Sequence, residues 1–225
     1  MSSMQTFKSA IQAMFNLLLR CFTKGKVVKG ELPEAEVVVT PPPTPPVDLA
    51  PPVMPTGLKR TDELKWLHPT IAKGVITALE ECHKKCLMVH VFESYRTLER
   101  QDDLYAQGRT KAGKIVTRAK AGYSMHNYGL AIDLVFDGEE RDGIQWSWTG
   151  DYNNEPLAGE KRSDYERVGE ILEKHGFYWY ARSSFPETPH FQMTFGLTLD
   201  QIRSLYAMRG LEGVWHEIRT RSLRD

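Results

Sequence analysis

Residues 124–136 read SMHNYGLAIDLVF, a polar turn that passes into an apolar run. The apolar side chains over residues 130–136 predict a buried β-strand. Asp133 is the one charged residue in that strand. An unpaired carboxylate in apolar surroundings costs several kcal/mol. Asp133 therefore needs a partner of opposite charge, and a metal ion is an effective one.

Two histidines stand where they could share such an ion with Asp133. His126 lies seven residues before it, and Gly129 lets the chain bend between the two side chains. His190 begins a later predicted strand. Two histidines and one carboxylate are a common ligand set for catalytic zinc, which keeps water in its fourth position. Glu187, three residues before His190, is suited to take a proton from that water.

Spacing alone leaves a simpler interpretation open. His126 can equally be a surface-loop residue, and Asp133 can pair with an arginine. A histidine at the start of a strand is often structural, and Glu187, close to two prolines, fits a solvated turn. Composition and spacing therefore permit the metal site without requiring it.

The patterns on either side of this strand alternate between helix and strand. They predict a helix from near Glu63 capped by Thr61 or Asp62, a strand over 87–92, a helix over 97–107, a surface loop over 138–161, a helix over 163–175, strands over 177–180 and 190–195, and a helix from Thr198 to Met208. Short links between the late strands favour an α+β domain over a doubly wound parallel sheet. We expect a small antiparallel sheet with flanking helices around the zinc site.

The whole chain has 225 residues, with 29 basic and 29 acidic side chains and a pI near 7.1. This balance argues against a nucleic-acid binder, which needs a basic surface to neutralise phosphates. The sequence contains no apolar run long enough for an ordinary transmembrane helix. Three cysteines are too few for a disulfide scaffold. These are the properties of an ordinary globular protein.

Charge and proline content divide the chain into three predicted parts. Residues 1–30 carry five basic residues and no acidic one, and their apolar residues recur at helical spacing. Residues 31–57 hold nine of the 13 prolines, which predicts an extended proline-rich linker. Residues 58–225 are long enough for one hydrophobic core, and we expect them to form the catalytic domain.

The N-terminal segment, residues 1–30, is predicted to form an amphipathic helix that lies on a membrane surface or docks on a partner protein. Two alternatives stay open. One is a signal peptide, although no small-residue cleavage site follows the apolar stretch. The other is a helix packed on its own domain, or a partly disordered segment.

Two motifs of this sequence match a known pattern. The pattern S-x-H-x-x-G-x-A-x-D stands here as residues 124–133, and (D/E)-x-P-H-F stands as residues 187–191. Upstream, residues 94–97 read SYRT. Together these motifs resemble the zinc D,D-carboxypeptidase and L-alanyl-D-glutamate peptidase family, which includes phage endolysins that cut peptidoglycan stem peptides. The resemblance covers most of residues 60–209.

The resemblance implies a role for each residue that matches the pattern. His126, Asp133 and His190 would be the ligands of one zinc ion. Glu187 would be the catalytic base that accepts a proton from the attacking water and later protonates the leaving amine. We therefore expect a zinc metallopeptidase.

Three further residues are implied to act on the substrate. Arg96 is similar to the family arginine that holds substrate or polarises the scissile carbonyl, and its alternative is a structural salt bridge. Ser124 and Gln101 are predicted to bind substrate. One departure concerns the cleft wall, because many members have a Trp-Gly-Gly turn before the last motif, whereas residues 179–181 read WYA.

The leading functional prediction is an L-alanyl-D-glutamate endopeptidase that acts as a phage lytic enzyme, either an endolysin or a virion-associated protein. A D,D-carboxypeptidase acting on D-alanyl-D-alanine is the alternative enzyme, and a non-catalytic zinc-bearing binding module is the alternative of another class. The expected partner is a peptidoglycan stem peptide, with a membrane surface or a phage structural protein bound through residues 1–30. The expected place of action is the bacterial cell wall, in the periplasm or host envelope.

Overall fold

The structure is a computed structural model that describes residues 50–137, 144–145, 163–184 and 186–223. The predicted N-terminal helix and most of the predicted linker lie outside these residues, as does most of the predicted loop over 138–161. Within the described residues, no helix combines the length and the apolar character needed to cross a membrane.

Five strands form one antiparallel sheet, as the α+β prediction requires. The strands β1, β2, β5 and β4 lie side by side in that order, and the short β3 pairs with β2. Their bounds are Val89–Glu93 for β1, Ala131–Asp137 for β2, Ile144–Gln145 for β3, Tyr178–Trp179 for β4 and His190–Gln192 for β5. The strand predicted around Asp133 is therefore the central strand.

Side chains along β2 point alternately to two faces of the sheet, one that packs in the hydrophobic core and one that carries Asp133. Ile132, Leu134 and Phe136 belong to the main hydrophobic core. Because successive side chains of a strand point to opposite faces, Asp133 lies on the other face. The register places Asp133 opposite Glu93 of β1 on one side and opposite His190 of β5 on the other. Three ionisable side chains thus form one row across three neighbouring strands.

Four helices complete the described fold. Their bounds are Pro69–Lys84 for α1, Leu98–Ala106 for α2, Asp164–Lys174 for α3 and Leu199–Ser222 for α4, which is interrupted at Gly210. Short 3-10 turns cover Leu64–Trp66, Met125–Tyr128 and Tyr180–Arg182. Helices α1 and α3 contact each other, and their apolar faces share the core with β2.

The first helix begins later than the sequence predicted. It starts at Pro69, and the His68 side chain caps it by accepting a hydrogen bond from the Thr70 amide at 3.2 Å. Proline suits the first position of a helix because the amide it lacks would be unpaired there. Thr61 does not cap a helix, since its hydroxyl donates to the Tyr95 carbonyl at 2.6 Å.

The last helix begins as predicted and ends later. Thr198 and Gln201 form the predicted capping box. The helix nevertheless continues beyond Met208 to Ser222, with a non-helical residue at Gly210, where φ is +64°. Val214, Trp215 and Ile218 of this second part are buried, so packing on the core stabilises the extension.

Candidate metal centre

His126 lies in a tight turn that positions its side chain near Asp133. The turn Met125–Tyr128 ends at Gly129, whose φ of +67° lies in the left-handed region that favours glycine. A Cβ at this position would meet the Trp66 carbonyl oxygen at 2.7 Å. The Trp215 indole donates a hydrogen bond to the last carbonyl of the turn at 2.9 Å. Backbone conformation and packing therefore both fix the turn that carries His126.

The three predicted metal ligands converge. Asp133 Oδ1 lies 3.2 Å from His126 Nε2 and 3.1 Å from His190 Nδ1. The two histidine nitrogens lie 3.1 Å apart. All three side chains are buried, and their ligand atoms lie within 4.8 Å of one another. Two imidazole nitrogens and one carboxylate oxygen match the donor set of a catalytic zinc site, so these residues fit a metal ion.

The second ring nitrogen of each histidine forms a hydrogen bond that fits the same interpretation, a site suited to a metal ion. His126 Nδ1 lies 2.6 Å from the Ser94 carbonyl oxygen, which can only accept, so this nitrogen carries the proton. His190 Nε2 lies 3.1 Å from Gln192 Oε1 and donates to it in the same way. Each ring thereby directs its other nitrogen, His126 Nε2 or His190 Nδ1, toward Asp133. This is the arrangement that orients metal-binding histidines. The sequence assigned no such role to Gln192.

Electrostatics keep Asp133 ionised. Burial alone would raise the pKa of its carboxyl group, but His126 and His190 hold this pKa well below its usual range. For His190, burial favours the neutral ring and by itself would lower the pKa. The hydrogen bond and the negative charge of Asp133 outweigh burial, so the pKa of His190 is raised. The site thus presents an anionic carboxylate at neutral pH, which is the form that binds a metal.

Arg96 is held by acidic and amide groups behind the ligands. Its Nη2 donates to Glu93 Oε2 at 2.5 Å and to Asp133 Oδ2 at 3.3 Å. Its Nη1 donates to Gln101 Oε1 at 3.0 Å. Arg100 Nε donates to the other oxygen of Glu93 at 2.6 Å. The structural salt bridge that the sequence left open is therefore present, and Glu93, which the sequence did not single out, is central to it.

Gln101 occupies a different position from the one predicted. It is fully buried, and its amide nitrogen donates to the Ala119 carbonyl at 2.7 Å. Its amide oxygen accepts a hydrogen bond from Arg96. Because the whole side chain is buried, none of its surface is exposed to a substrate. The prediction of direct substrate binding does not fit this position, and Gln101 instead orients Arg96.

A cleft of about 750 Å³ opens onto the three ligand candidates. Ser124 and Glu187 line it, and both are half-buried. Within the described residues, the Glu187 carboxylate forms no hydrogen bond or ion pair. Tyr180 also lines the cleft, and burial together with Glu187 raises the pKa of its phenol. The cleft therefore combines a group of residues that could hold a metal ion with a carboxylate that forms no hydrogen bond or ion pair within the described residues.

Comparison with known proteins identifies the family. The sequence model of the D-alanyl-D-alanine carboxypeptidase family matches residues 117–193, which include the three ligand candidates and Glu187. The chain is 38% identical over 129 residues to the peptidoglycan L-alanyl-D-glutamate endopeptidase CwlK of Bacillus subtilis (strain 168), a match that covers 56% of this chain and 73% of CwlK. The chain belongs to the zinc D,D-carboxypeptidase and L-alanyl-D-glutamate peptidase family. It is therefore a metallopeptidase, as the resemblance predicted.

Two solved structures of similar proteins share 17% sequence identity with this family member. The crystal structure of the Serratia marcescens L-Ala D-Glu endopeptidase ChiX covers 59% of this chain and 84% of its own, with a TM-score of 0.36. The LdcB LD-carboxypeptidase covers 78% of this chain and 80% of its own, with a TM-score of 0.46. Family membership rests on the similarity to CwlK.

Proposed function

We propose that this protein is a zinc-dependent L-alanyl-D-glutamate endopeptidase that cleaves peptidoglycan stem peptides. One observation carries the proposal. The buried group His126, Asp133 and His190 shares a cleft with the unengaged carboxylate of Glu187. The 38% identity to CwlK supports the choice of bond, since CwlK carries that specificity in its name.

The proposed metal is one Zn²⁺ ion, which His126, Asp133 and His190 would hold. A zinc ion held by such ligands acts as a Lewis acid and lowers the pKa of its water from about 15.7 to about 7. The second oxygen of Asp133 accepts a hydrogen bond from Arg96, which fixes the rotation of the carboxylate.

Glu187 is the proposed proton carrier. Its carboxylate lines the cleft and forms no hydrogen bond or ion pair with the described side chains, so it is available to accept a proton from the attacking water. The same group can then deliver that proton to the departing amine. Positioned acid–base catalysis of this kind contributes about 10²–10⁴-fold in rate.

The test is digestion of purified peptidoglycan by the full chain, with a chelator and after zinc is restored, read by mass spectrometry. We expect new N-terminal D-glutamate only when metal is present. Glu187→Gln should retain zinc and fold but lose about 10²-fold or more in kcat. Full activity in Glu187→Gln would contradict the assignment of the base.

A second candidate activity is hydrolysis of D-alanyl-D-alanine. The matching family model carries that description, which favours this alternative. The same digestion separates the two activities, because a carboxypeptidase releases only terminal D-alanine. Zinc binding without any cleavage would instead support a non-catalytic binding module.

The biological setting is proposed from the sequence alone. We propose a phage lytic enzyme, an endolysin or virion-associated protein, that acts on the cell wall from the periplasm or host envelope. The five basic residues and the helical apolar spacing of residues 1–30 support attachment to a membrane surface or a phage structural protein. Loss of sedimentation with anionic vesicles after deletion of residues 1–55 would favour the membrane. Unchanged sedimentation would exclude it.

A further inference from the structure

Most N–H groups of Arg96 are already engaged within the protein. Three of the five donors of a guanidinium go to Glu93, Asp133 and Gln101. The Nε–H is buried and has no partner among the described residues. One N–H on Nη1 is all that is left for a substrate. Beyond the proposed metal and this single N–H, any further stabilisation of the charge that develops on a scissile carbonyl would come from a donor elsewhere in the cleft.

Tyr180 is the side chain that we consider for this role. It begins the turn Tyr180–Arg182 and lines the cleft together with His190 and Glu187. Its ring packs edge-to-face against the His190 ring, with centroids 5.1 Å apart and planes at 78°. Within the described residues, the Tyr180 hydroxyl forms no hydrogen bond, so it is available to a ligand.

The position of this tyrosine is notable within the family. Residues 179–181 read WYA, whereas the resemblance described above implies Trp-Gly-Gly at this turn in many members, with glycine in place of Tyr180. Trp179 keeps a structural role, since it is buried and donates to the Thr188 carbonyl at 2.8 Å. The phenol beside His190 is therefore a group that members with glycine at this position lack.

We propose that Tyr180 is a further catalytic residue, whose hydroxyl donates a hydrogen bond to the oxygen of the scissile carbonyl as negative charge develops there. The inference rests on the proposed peptidase function. A neutral phenol is a good donor, and a fixed donor acts most strongly where water is excluded. Packing against His190 fixes the ring beside a ligand candidate before substrate arrives.

The experiment compares Tyr180→Phe with Tyr178→Phe in the full chain loaded with zinc. Phenylalanine keeps the ring packing and removes only the hydroxyl. Tyr178 is a matched control, because it is the neighbouring tyrosine on β4, is 45% exposed and does not line the cleft. The readouts are kcat and KM on a synthetic L-alanyl-D-glutamyl stem peptide, together with zinc content.

We expect Tyr180→Phe to lower kcat by about 100-fold, the effect of losing one oxyanion donor. KM and zinc content should stay within about twofold of wild type, because an interaction made only in the transition state leaves ground-state binding unchanged. Tyr178→Phe should behave as wild type. An unchanged kcat, or a rise in KM alone, would overturn the proposal. A wild-type enzyme that cleaves no stem peptide would instead overturn the proposed function.

Discussion

Replacement of Glu93 by glutamine tests the electrostatic framework of the site. The Glu93 side chain is 3% exposed and forms two ion pairs, with Arg96 Nη2 at 2.5 Å and with Arg100 Nε at 2.6 Å. Glu93→Gln keeps the size of the side chain but removes its charge. Arg96 then stays buried with Asp133 as its remaining anion.

The expected cost is large. Removal of one partner from a buried ion pair destabilises a protein by about 3–5 kcal/mol. Because Arg96 keeps Asp133 and Arg100 is only partly buried, we expect the lower end, about 3 kcal/mol. For a domain of this size, that corresponds to a fall in Tm of about 6–12 °C.

The pH dependence gives an independent check. Burial raises the pKa of Glu93, but the charge and hydrogen bond of Arg96 outweigh burial and hold this pKa below 4.5. Folding therefore favours the ionised form, so the stabilisation is complete above pH 4.5 and is lost as pH falls through the pKa of the folded state. The gap between wild type and Glu93→Gln should accordingly narrow in acid.

Urea unfolding of the full chain, followed in the presence of a chelator, measures this effect without the added stabilisation by bound metal. Glu217→Gln is the matched control. It breaks a more exposed pair with Arg221 at 2.8 Å, in which each side chain is about one-third exposed, and should cost less than about 1 kcal/mol. If Glu93→Gln and Glu217→Gln destabilised the protein equally, the buried ion pairs would not be what holds Arg96 in place.

Three other substitutions address the metal-binding group and its turn. His126→Ala should abolish both zinc binding and peptidase activity, as measured by metal content and peptide cleavage. Gln192→Ala removes the acceptor of the His190 ring proton, so zinc affinity measured by competition with a chelator should fall about 10–100-fold. Gly129→Ala should cost about 2 kcal/mol or more in thermal unfolding, because of its φ of +67° and a carbonyl oxygen 2.7 Å from the new Cβ. Gly57→Ala, with a φ of +81° and open space around it, should cost less.

The sequence predicted those features of the fold that depend on neighbouring residues. The apolar run over residues 130–136 identified β2, and the single charge within it identified Asp133 as a residue in need of a partner. The capping box at Thr198 gave the start of α4 correctly. The start of α1 was wrong because the Thr61 hydroxyl has a tertiary partner, the Tyr95 carbonyl, that local spacing does not reveal.

The site also has some features that local sequence predicts and others that depend on tertiary contacts. The motifs pointed to His126, Asp133 and His190 as one group, and the structure brings these three side chains close together. The roles of Glu93 and Gln101 depend on tertiary contacts. An irregularity in β1 between Val91 and Glu93 sets the register that places Glu93 opposite Asp133. No pattern within one segment of sequence contains that information.

The charges of Glu93, Asp133 and Arg96 largely neutralise one another within the site, so the residues that line the cleft matter for its chemistry. Glu93 and Asp133 face each other across two strands, and like charges in that position repel. Arg96 relieves this repulsion by donating to both, which commits it before any substrate binds. Arg96 then has one Nη1 N–H left for a substrate, and the proposed additional donor is the Tyr180 hydroxyl, which forms no hydrogen bond within the described residues. The turn that carries Tyr180 is therefore where we expect substitutions to change the rate of cleavage.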